Sequence, residues 1–376
     1  MIILKAFKFR LNPTKKQIGI FNNTLDQCRW LYNYSLEQRI LAYEELGLQL
    51  SKFQQQCFLP PLKEATPGLL AVHSQVLQNV NDRLDKAFKG FFTRCKAGQT
   101  PGYPRFRSLD RYDSFCYPCT GFSIDGKELK LSKIGSIQII QHRQIEGKVK
   151  TCTIRKQCGK WYACFSCKVE SSPLTVNEKS VGIDLGIENF ATLSDGQVIS
   201  NPRFFKKTEK SLATAQRKLA KCKKASPERK KAKKVVSRIH QKVNNKRSDF
   251  LHKTSRKIIN EYQYICVEDL SISKMMQDSY LAKSISCVSW GQFTLFLTYK
   301  AEDAGRSLGL VNPAYTSQDC SKCGHRKVKL LSERTHHCMV CGHREHRDIN
   351  AAKNILAIGL DGLAEMPRSL HLQVGE

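Results

Sequence analysis

The amino-acid sequence predicts a multidomain α+β protein, and three observations carry that prediction. The first hundred residues show helical periodicity after one short alternating strand. Residues 108 to 178 read as strands joined by tight turns, and beyond them short apolar strands carrying single acids alternate with long helices. A chain of 376 residues is also too long for one ordinary core, so two or three domains are expected.

Residues 2–11 alternate well enough for a first strand, and Asn12 with Pro13 reads as an N-cap followed by a first helical residue. Ile18, Phe21, Leu25, Cys28 and Leu31 recur at helical spacing, and Gly47 supplies the stop. A second helix is predicted from Ser74 to about Lys96, with Val76, Val80, Leu84, Phe88 and Phe91 along one face. Two prolines and a glycine in PGYPRFRS, residues 101–108, exclude a regular helix there. Asp125-Gly126 reads as a hairpin turn between FSI and ELKL, and Cys158-Gly159 as another between TIRKQ and KWYACFSCKVE. The first strand is expected to join this later sheet, which would make the intervening helices an insertion.

Residues 180–200, SVGIDLGIENFATLSDGQVIS, read as an apolar strand with one acid, a glycine turn and a second short strand. From Lys206 to Arg247 there are 17 Lys or Arg against two acids, Glu209 and Glu228, and Ser226-Pro227 divides the run into two helices. YICVEDL reads as a buried strand, SWGQFTLFLTYKAEDAG as an amphipathic helix and RDINAAKNILAIG as the last helix.

Charge narrows the function. With 62 Lys and Arg against 33 Asp and Glu, the net charge is +29, which calls for a polyanionic partner. No run approaches the roughly 18 consecutive apolar residues of a spanning helix, and Lys5, Lys8 and Arg10 interrupt any signal-peptide core, so no membrane partner is expected. Charge runs are often only solvated helix faces. Here an excess of 17 to two leaves few partners within the segment, which points to a phosphate backbone, with Lys223, Lys224, Lys230, Lys231 and Lys234 as candidates. Arg105, Arg107 and Arg111 are interleaved with Tyr103, Phe106, Tyr112, Phe115 and Tyr117, a pattern suited to stacking on bases that does not by itself decide for it.

The sharpest local signal is CSKCGHR, residues 320–326, followed by CMVCGHR, residues 338–344. Two CxxCG turns make two thiolate knuckles, so Cys320, Cys323, Cys338 and Cys341 are expected to close one structural zinc site with no open position. His325, His336, His337, His343 and His346 are then left as surface or nucleic-acid contacts. The doublets Cys116/Cys119 and Cys164/Cys167 suit a second metal poorly, because strand positions three apart face opposite sides. In a reducing compartment the remaining thiols of the sixteen cysteines are expected to be free.

Asp184 in VGIDLG and Glu268 in ICVED lie in apolar strands, where a carboxylate is costly unless paired or metal-bound. Convergence of two or three such acids at about 4 Å would cost roughly 4 kcal/mol per pair at an effective dielectric of 20, a repulsion that divalent cations relieve. Acids at strand ends also serve as surface or capping residues, and the pattern leaves both readings open.

VGIDLGIENFATLSDG, VEDL, PAYTSQDCSKCGHR with its second knuckle, and EHRDINAAKNI follow one another in an order that resembles TnpB, the nuclease family encoded by certain insertion sequences and similar to type V CRISPR effectors. The resemblance runs from the first strand, through PRFR and SISCVSWGQF, to about residue 360. It implies a β-barrel wedge domain (1–13 and 108–178) with an inserted helical recognition domain (14–107). An RNase H-like (RuvC) α/β nuclease domain (179–315 and 347–361) would follow, with an inserted zinc-ribbon (316–346) and a tail (362–376). It further implies a catalytic triad of Asp184, Glu268 and Asp348 on two Mg2+ ions, one structural Zn2+, a guide RNA, and target double-stranded DNA cut beside a short adjacent motif. A cytoplasmic, nucleoid-associated, prokaryotic protein would follow, of undefined oligomeric state. Two other classes stay in view: a non-cutting RNA-guided repressor, which the three intact acids disfavour, and a strand-joining transposase.

Overall fold

The computed structural model describes residues 2–330 and 333–364. They divide into two compact units, residues 2–170 and the residues from 171 on, each with its own core. Of the tail, residues 362–364 complete the last helix and residues 365–376 lie outside those described. Among the described residues no helix is long and apolar enough to cross a membrane.

The first unit runs β1 (Ile2–Asn12), α1 (Lys15–Leu46), α2 (Lys52–Cys57), α3 (Leu59–Ala65), α4 (Ser74–Lys96), β2 (Ser114–Tyr117), β3 (Phe122–Asp125), β4 (Glu128–Leu131), β5 (Gly135–Ile140), β6 (Lys148–Gln157) and β7 (Lys160–Glu170). All seven strands form one antiparallel sheet in the order β2-β6-β7-β1-β5-β4-β3. β1 therefore sits in mid-sheet, paired with β7 from Ile2↔Glu170 to Leu11↔Trp161, and the helices lie between two strands of the same sheet. The sheet is a half-barrel with β2 and β3 as edges, the coarser form of the β-barrel expected. Its concave side is filled instead by helix side chains: Phe21, Leu25 and Leu31 of α1 and Leu77, Val80 and Leu84 of α4 share one core with Phe9, Ile137, Ile154 and Phe165.

Local chemistry explains most boundaries. β1 continues through Asn12, so the first helix begins two residues later than expected, on a Thr14/Gln17 capping box, and ends at Gly47 with φ +65°. α4 spans Ser74–Lys96, as its periodicity predicts. Gln157 pairs with Lys160 across Cys158 and Gly159, both at positive φ, as a two-residue hairpin loop demands. The other hairpin turns on Gly126-Lys127, one residue later than expected. Tyr112, Phe115 and Tyr117 are buried in the core and cannot stack on bases, while Tyr103 and Phe106 stay exposed.

The second unit contains β8 (Ser180–Leu185), β9 (Asn189–Leu193), β10 (Val198–Ser200), α5 (Phe204–Lys221), α6 (Pro227–Glu261), β11 (Tyr264–Glu268), α7 (Ile272–Met275), α8 (Ser279–Val288), α9 (Trp290–Ala304), β12 (Ser307–Val311), β13 (Thr335–His337), β14 (Arg344–His346) and α10 (Arg347–Ala364). Five strands form a mixed sheet, β10-β9-β8-β11-β12, in which β8, β9 and β10 are antiparallel neighbours and β11 lies parallel to both β8 and β12. Ser226 caps α6 through the Arg229 amide and divides the two basic helices where expected. One sheet face, with Val181, Ile183, Ile265 and Val267, packs on Leu251, Ile258, Phe293 and Leu297 of α6 and α9.

The opposite face receives α10. A Cβ on Gly182 of β8 would lie 2.0 Å from the Ala352 carbonyl oxygen, and one on Gly359 would lie 2.3 Å from Cys266 Sγ. These two glycines let helix and sheet touch more closely than side chains allow. Asp184 and Glu268 lie two residues beyond Gly182 and Cys266 on their strands, and so face the same way.

Candidate active site and metal centre

Three segments remote in sequence supply the acids. β8 and β11 are parallel, with Ile183 beside Val267, so the next residues, Asp184 and Glu268, stand side by side where the two strands end. Asp348 enters from the first turn of α10, one turn before the Ala352 contact with Gly182. Its carboxylate sits at the positive end of the helix dipole, accepts a bond from Arg347 Nε at 3.3 Å and is followed by a helix that carries no other acid in its first turn.

The electrostatics of Asp184 register both other acids. Burial raises the Asp184 pKa well above the usual carboxylate range, Glu268 and Asp348 raise it further, and Arg347 opposes them. Glu268 is 7% exposed, and burial pushes it from 4.5 up to about 7, opposed by a hydrogen bond donated by Thr316 Oγ1 at 3.0 Å. These hard oxygen donors fit magnesium, which would relieve their repulsion. They are a looser group than the cysteines: among the described residues, the four cysteines are the set of His, Cys, Asp or Glu donors lying within 4.8 Å of one another.

This shift makes a stability prediction. A carboxyl whose folded pKa is raised contributes stability below pH 4.5 that is lost as pH rises through about 7, here on the order of 3 kcal/mol in the absence of divalent ions. Glu268→Gln cannot ionise. In EDTA its melting temperature should therefore exceed that of the parent at pH 8.5, with the gap narrowing toward pH 5; a gap independent of pH would contradict the burial of an ionising group.

Asp269, beside Glu268 in sequence, is exposed and spends its N–H on the Val311 carbonyl at 2.8 Å. The strand ends at Glu268, so the two acids part company there.

The cysteine group is built from two matching knuckles. The Gly324 and Gly342 amides, at φ +73° and +69°, bond the carbonyls of Cys320 and Cys338, and the Cys320 and Cys338 amides bond those of His325 and His343. Cys320 and Cys341 sulfurs are 3.7 Å apart and those of Cys323 and Cys338 are 3.5 Å apart. Four zinc–sulfur bonds of about 2.3 Å in a tetrahedron set sulfurs about 3.8 Å apart, so the thiols are placed to hold one such ion. His336 corrects one expectation: it is fully buried beside Lys329, and burial together with that ammonium lowers its pKa. His325, His337 and His346 remain exposed, and His343 lies 3.3 Å from Glu345.

Residues that the sequence reading passed over join the two centres. Asn350, fully buried on α10, accepts from the Ser321 amide at 2.9 Å and donates to the Asp319 carbonyl at 2.7 Å. Asn354, one turn on, donates to the carbonyls of Thr316 and Asp319 at 2.8 Å each. Two asparagines four apart in a helix interior, where the residue is a poor helix former, were the available signal.

Among the predicted nucleic-acid contacts, Lys223 and Lys224 lie exposed in the turn between α5 and α6, and Lys230, Lys231 and Lys234 are exposed in the first turns of α6. Arg229 pins that turn by bonding the Leu219 and Cys222 carbonyls. In the other unit Arg105 and Arg107 are exposed, with the Arg107 guanidinium 5.5 Å from the centre of the Tyr32 ring.

Comparison with known proteins adds independent findings. Residues 164–279 match the OrfB family of IS605-type elements, described as "Probable transposase", and residues 290–355 match a Cas12f1-like TNB domain. Residues 1–47 match a family described as "Helix-turn-helix domain", although this chain has a strand and one continuous helix there. An Escherichia coli K12 protein named "Putative RNA-guided DNA endonuclease InsQ" is 33% identical over 95% of this chain and 92% of its own length. The TnpB-like protein L79 of Acanthamoeba polyphaga mimivirus is 30% identical over 53% of this chain and 41% of its own. Cas12f1, solved by cryo-electron microscopy with a single guide RNA and target DNA, superposes with a TM-score of 0.62 at 14% identity, covering 94% of this chain and 98% of that one.

Proposed function

Because the chain belongs to the TnpB family, we propose that it is the RNA-guided DNA endonuclease of an insertion sequence, with Asp184, Glu268 and Asp348 as the acids of a single cutting site. The observation that supports the site assignment is the convergence of three acids at one end of two parallel strands: Asp184 of β8 and Glu268 of β11 follow the paired residues Ile183 and Val267, and Asp348 in the first turn of α10 bears on Asp184 electrostatically.

The second unit's sheet, three antiparallel strands followed by two parallel ones in the order β10-β9-β8-β11-β12, supports an RNase H-like (RuvC) nuclease domain over 179–315 and 347–361. Residues 316–346 are then a zinc-ribbon set into it, and residues 1–13 with 108–178 a wedge domain carrying the helical recognition segment 14–107. Asp184, Glu268 and Asp348 would hold two magnesium ions, which supply an activated water and neutralise the leaving oxygen when bound. The chain's own work is to bury Glu268 at the end of β11, to present Asp348 at a helix N-terminus and to balance the cluster with Arg347. Guide pairing would carry the target sequence, while exposed cations such as Lys223, Lys230, Arg105 and Arg107 hold backbones.

Purified protein is expected to carry RNA and to bind it with a steep salt dependence, since a chain of net charge +29 displaces many counterions. It should cut a plasmid only where the loaded guide is complementary. Site-defined cutting by RNA-free protein would overturn the guided reading, joining of transposon ends without RNA would favour a transposase, and tight target binding without cutting would favour a repressor.

A further inference from the structure

Thr316 lies where the polypeptide leaves β12 and approaches the first cysteine knuckle, and it is 3% exposed. Its hydroxyl is 3.0 Å from Glu268 Oε1 and 3.1 Å from the Pro313 carbonyl oxygen. One hydroxyl hydrogen serves one acceptor fully, and an ionised carboxylate makes roughly twice as strong a bond as a carbonyl, so the carboxylate takes it. The Thr316 backbone is itself held: its carbonyl accepts from Asn354 Nδ2, and both Asn354 and Asn350 reach the Asp319 carbonyl next to Cys320. A continuous chain of hydrogen bonds thus runs from the cysteine knuckle, through two asparagines of the helix that bears Asp348, to the buried carboxylate of β11.

We propose that Thr316 is a positioning residue, whose hydroxyl fixes the Glu268 carboxylate for metal binding and ties its orientation to the seating of the cysteine knuckle on α10. The proposal rests on the reading of Glu268 as a site acid. Glu268 stands at the end of its strand, and among the side-chain hydrogen bonds described for it Thr316 is the donor. Without that donor the carboxylate is free to rotate about its last torsion, which is broad for a terminal sp3–sp2 bond. Substituting such outer partners of metal-binding groups lowers affinity or activity by about 10- to 100-fold.

The test compares Thr316→Val, which keeps the shape and removes the donor, with Thr316→Ser, which keeps the donor and removes the methyl. Each is purified as the guide-loaded complex, with zinc content, guide binding and target binding measured alongside, and Glu268→Gln serves as reference. Thr316→Val should cut about 10- to 100-fold more slowly, need more Mg2+ to reach half its maximal rate, and show a smaller rise in melting temperature on Mg2+ addition, at unchanged zinc content and target binding. Thr316→Ser should stay within a few-fold of the parent in each. Parental cutting and an unchanged Mg2+ response in Thr316→Val, or equal impairment of both variants, would overturn the proposal. A Glu268→Gln reference that still cuts would instead overturn the site assignment on which it rests.

Discussion

Asp184→Ala, Glu268→Gln and Asp348→Ala should each lower target cleavage by about a thousandfold or more, which corresponds to roughly 4 kcal/mol of lost transition-state stabilisation. Guide and target binding should change little, because the cations proposed to hold backbones lie on other segments of the chain. If the three acids act as one cluster, as proposed, pairs of these substitutions should cost little more than single ones. Asp269→Asn is the control: that side chain is exposed just beyond the strand end, and the variant should keep most of its activity. Magnesium should support cutting, whereas calcium, with its larger and looser coordination shell, should support binding with little cutting. Parental cleavage in all three principal variants would remove the nuclease assignment. A dead Asp269→Asn beside an active Glu268→Gln would mean that the wrong acid of the pair had been named.

Loss of the metal knuckles should cost the fold as well as the chemistry. Metal analysis should find one zinc per chain, and Cys320→Ser or Cys341→Ser should lower soluble yield and cleavage together. Structural zinc contributes on the order of 10 kcal/mol in small zinc-binding folds, and the few short strands around these cysteines offer little core to replace it. Because Asn350 and Asn354 clasp the knuckle against α10, loosening it should also release Thr316 from Glu268. Full activity and no bound zinc in the double serine variant would refute this. Two zincs per chain would reopen the other doublets, of which Cys167 is buried in the half-barrel core and Cys119 is exposed.

Most features read correctly from sequence are set by neighbours within about twenty residues, the joining of β1 to the later sheet being the long-range exception. The α4 boundaries follow from apolar spacing, the Ser226-Pro227 division of the basic helices from capping chemistry, and the matching cysteine turns from two CxxCG motifs. Errors of one or two residues at the start of α1 and at the Gly126-Lys127 turn arose where strand pairing extended a segment past its local signal. Base contact by Tyr112, Phe115 and Tyr117 stays undecided in the sequence and is settled by their burial, because an aromatic–basic stretch looks the same whether its rings face solvent or a core.

The candidate site divides along the same line. Local pattern was enough to single out Asp184 and Glu268 as acids in apolar strands and the four cysteines as one metal set, and resemblance added Asp348. That Asp184 stands beside Glu268 depends on a parallel pairing between strands with two long basic helices between them in sequence. Asp348 is brought toward them by α10, which Gly182 admits against the Ala352 backbone and Gly359 against the Cys266 side chain. Thr316, Asn350 and Asn354 acquire their roles solely from that packing, since a hydroxyl or an amide in sequence carries no sign of which distant group it will meet. Short-range spacing encodes elements and knuckles, whereas the raised pKa of Glu268 and the bond that restrains it come from burial and from neighbours that folding alone brings within about 3 Å.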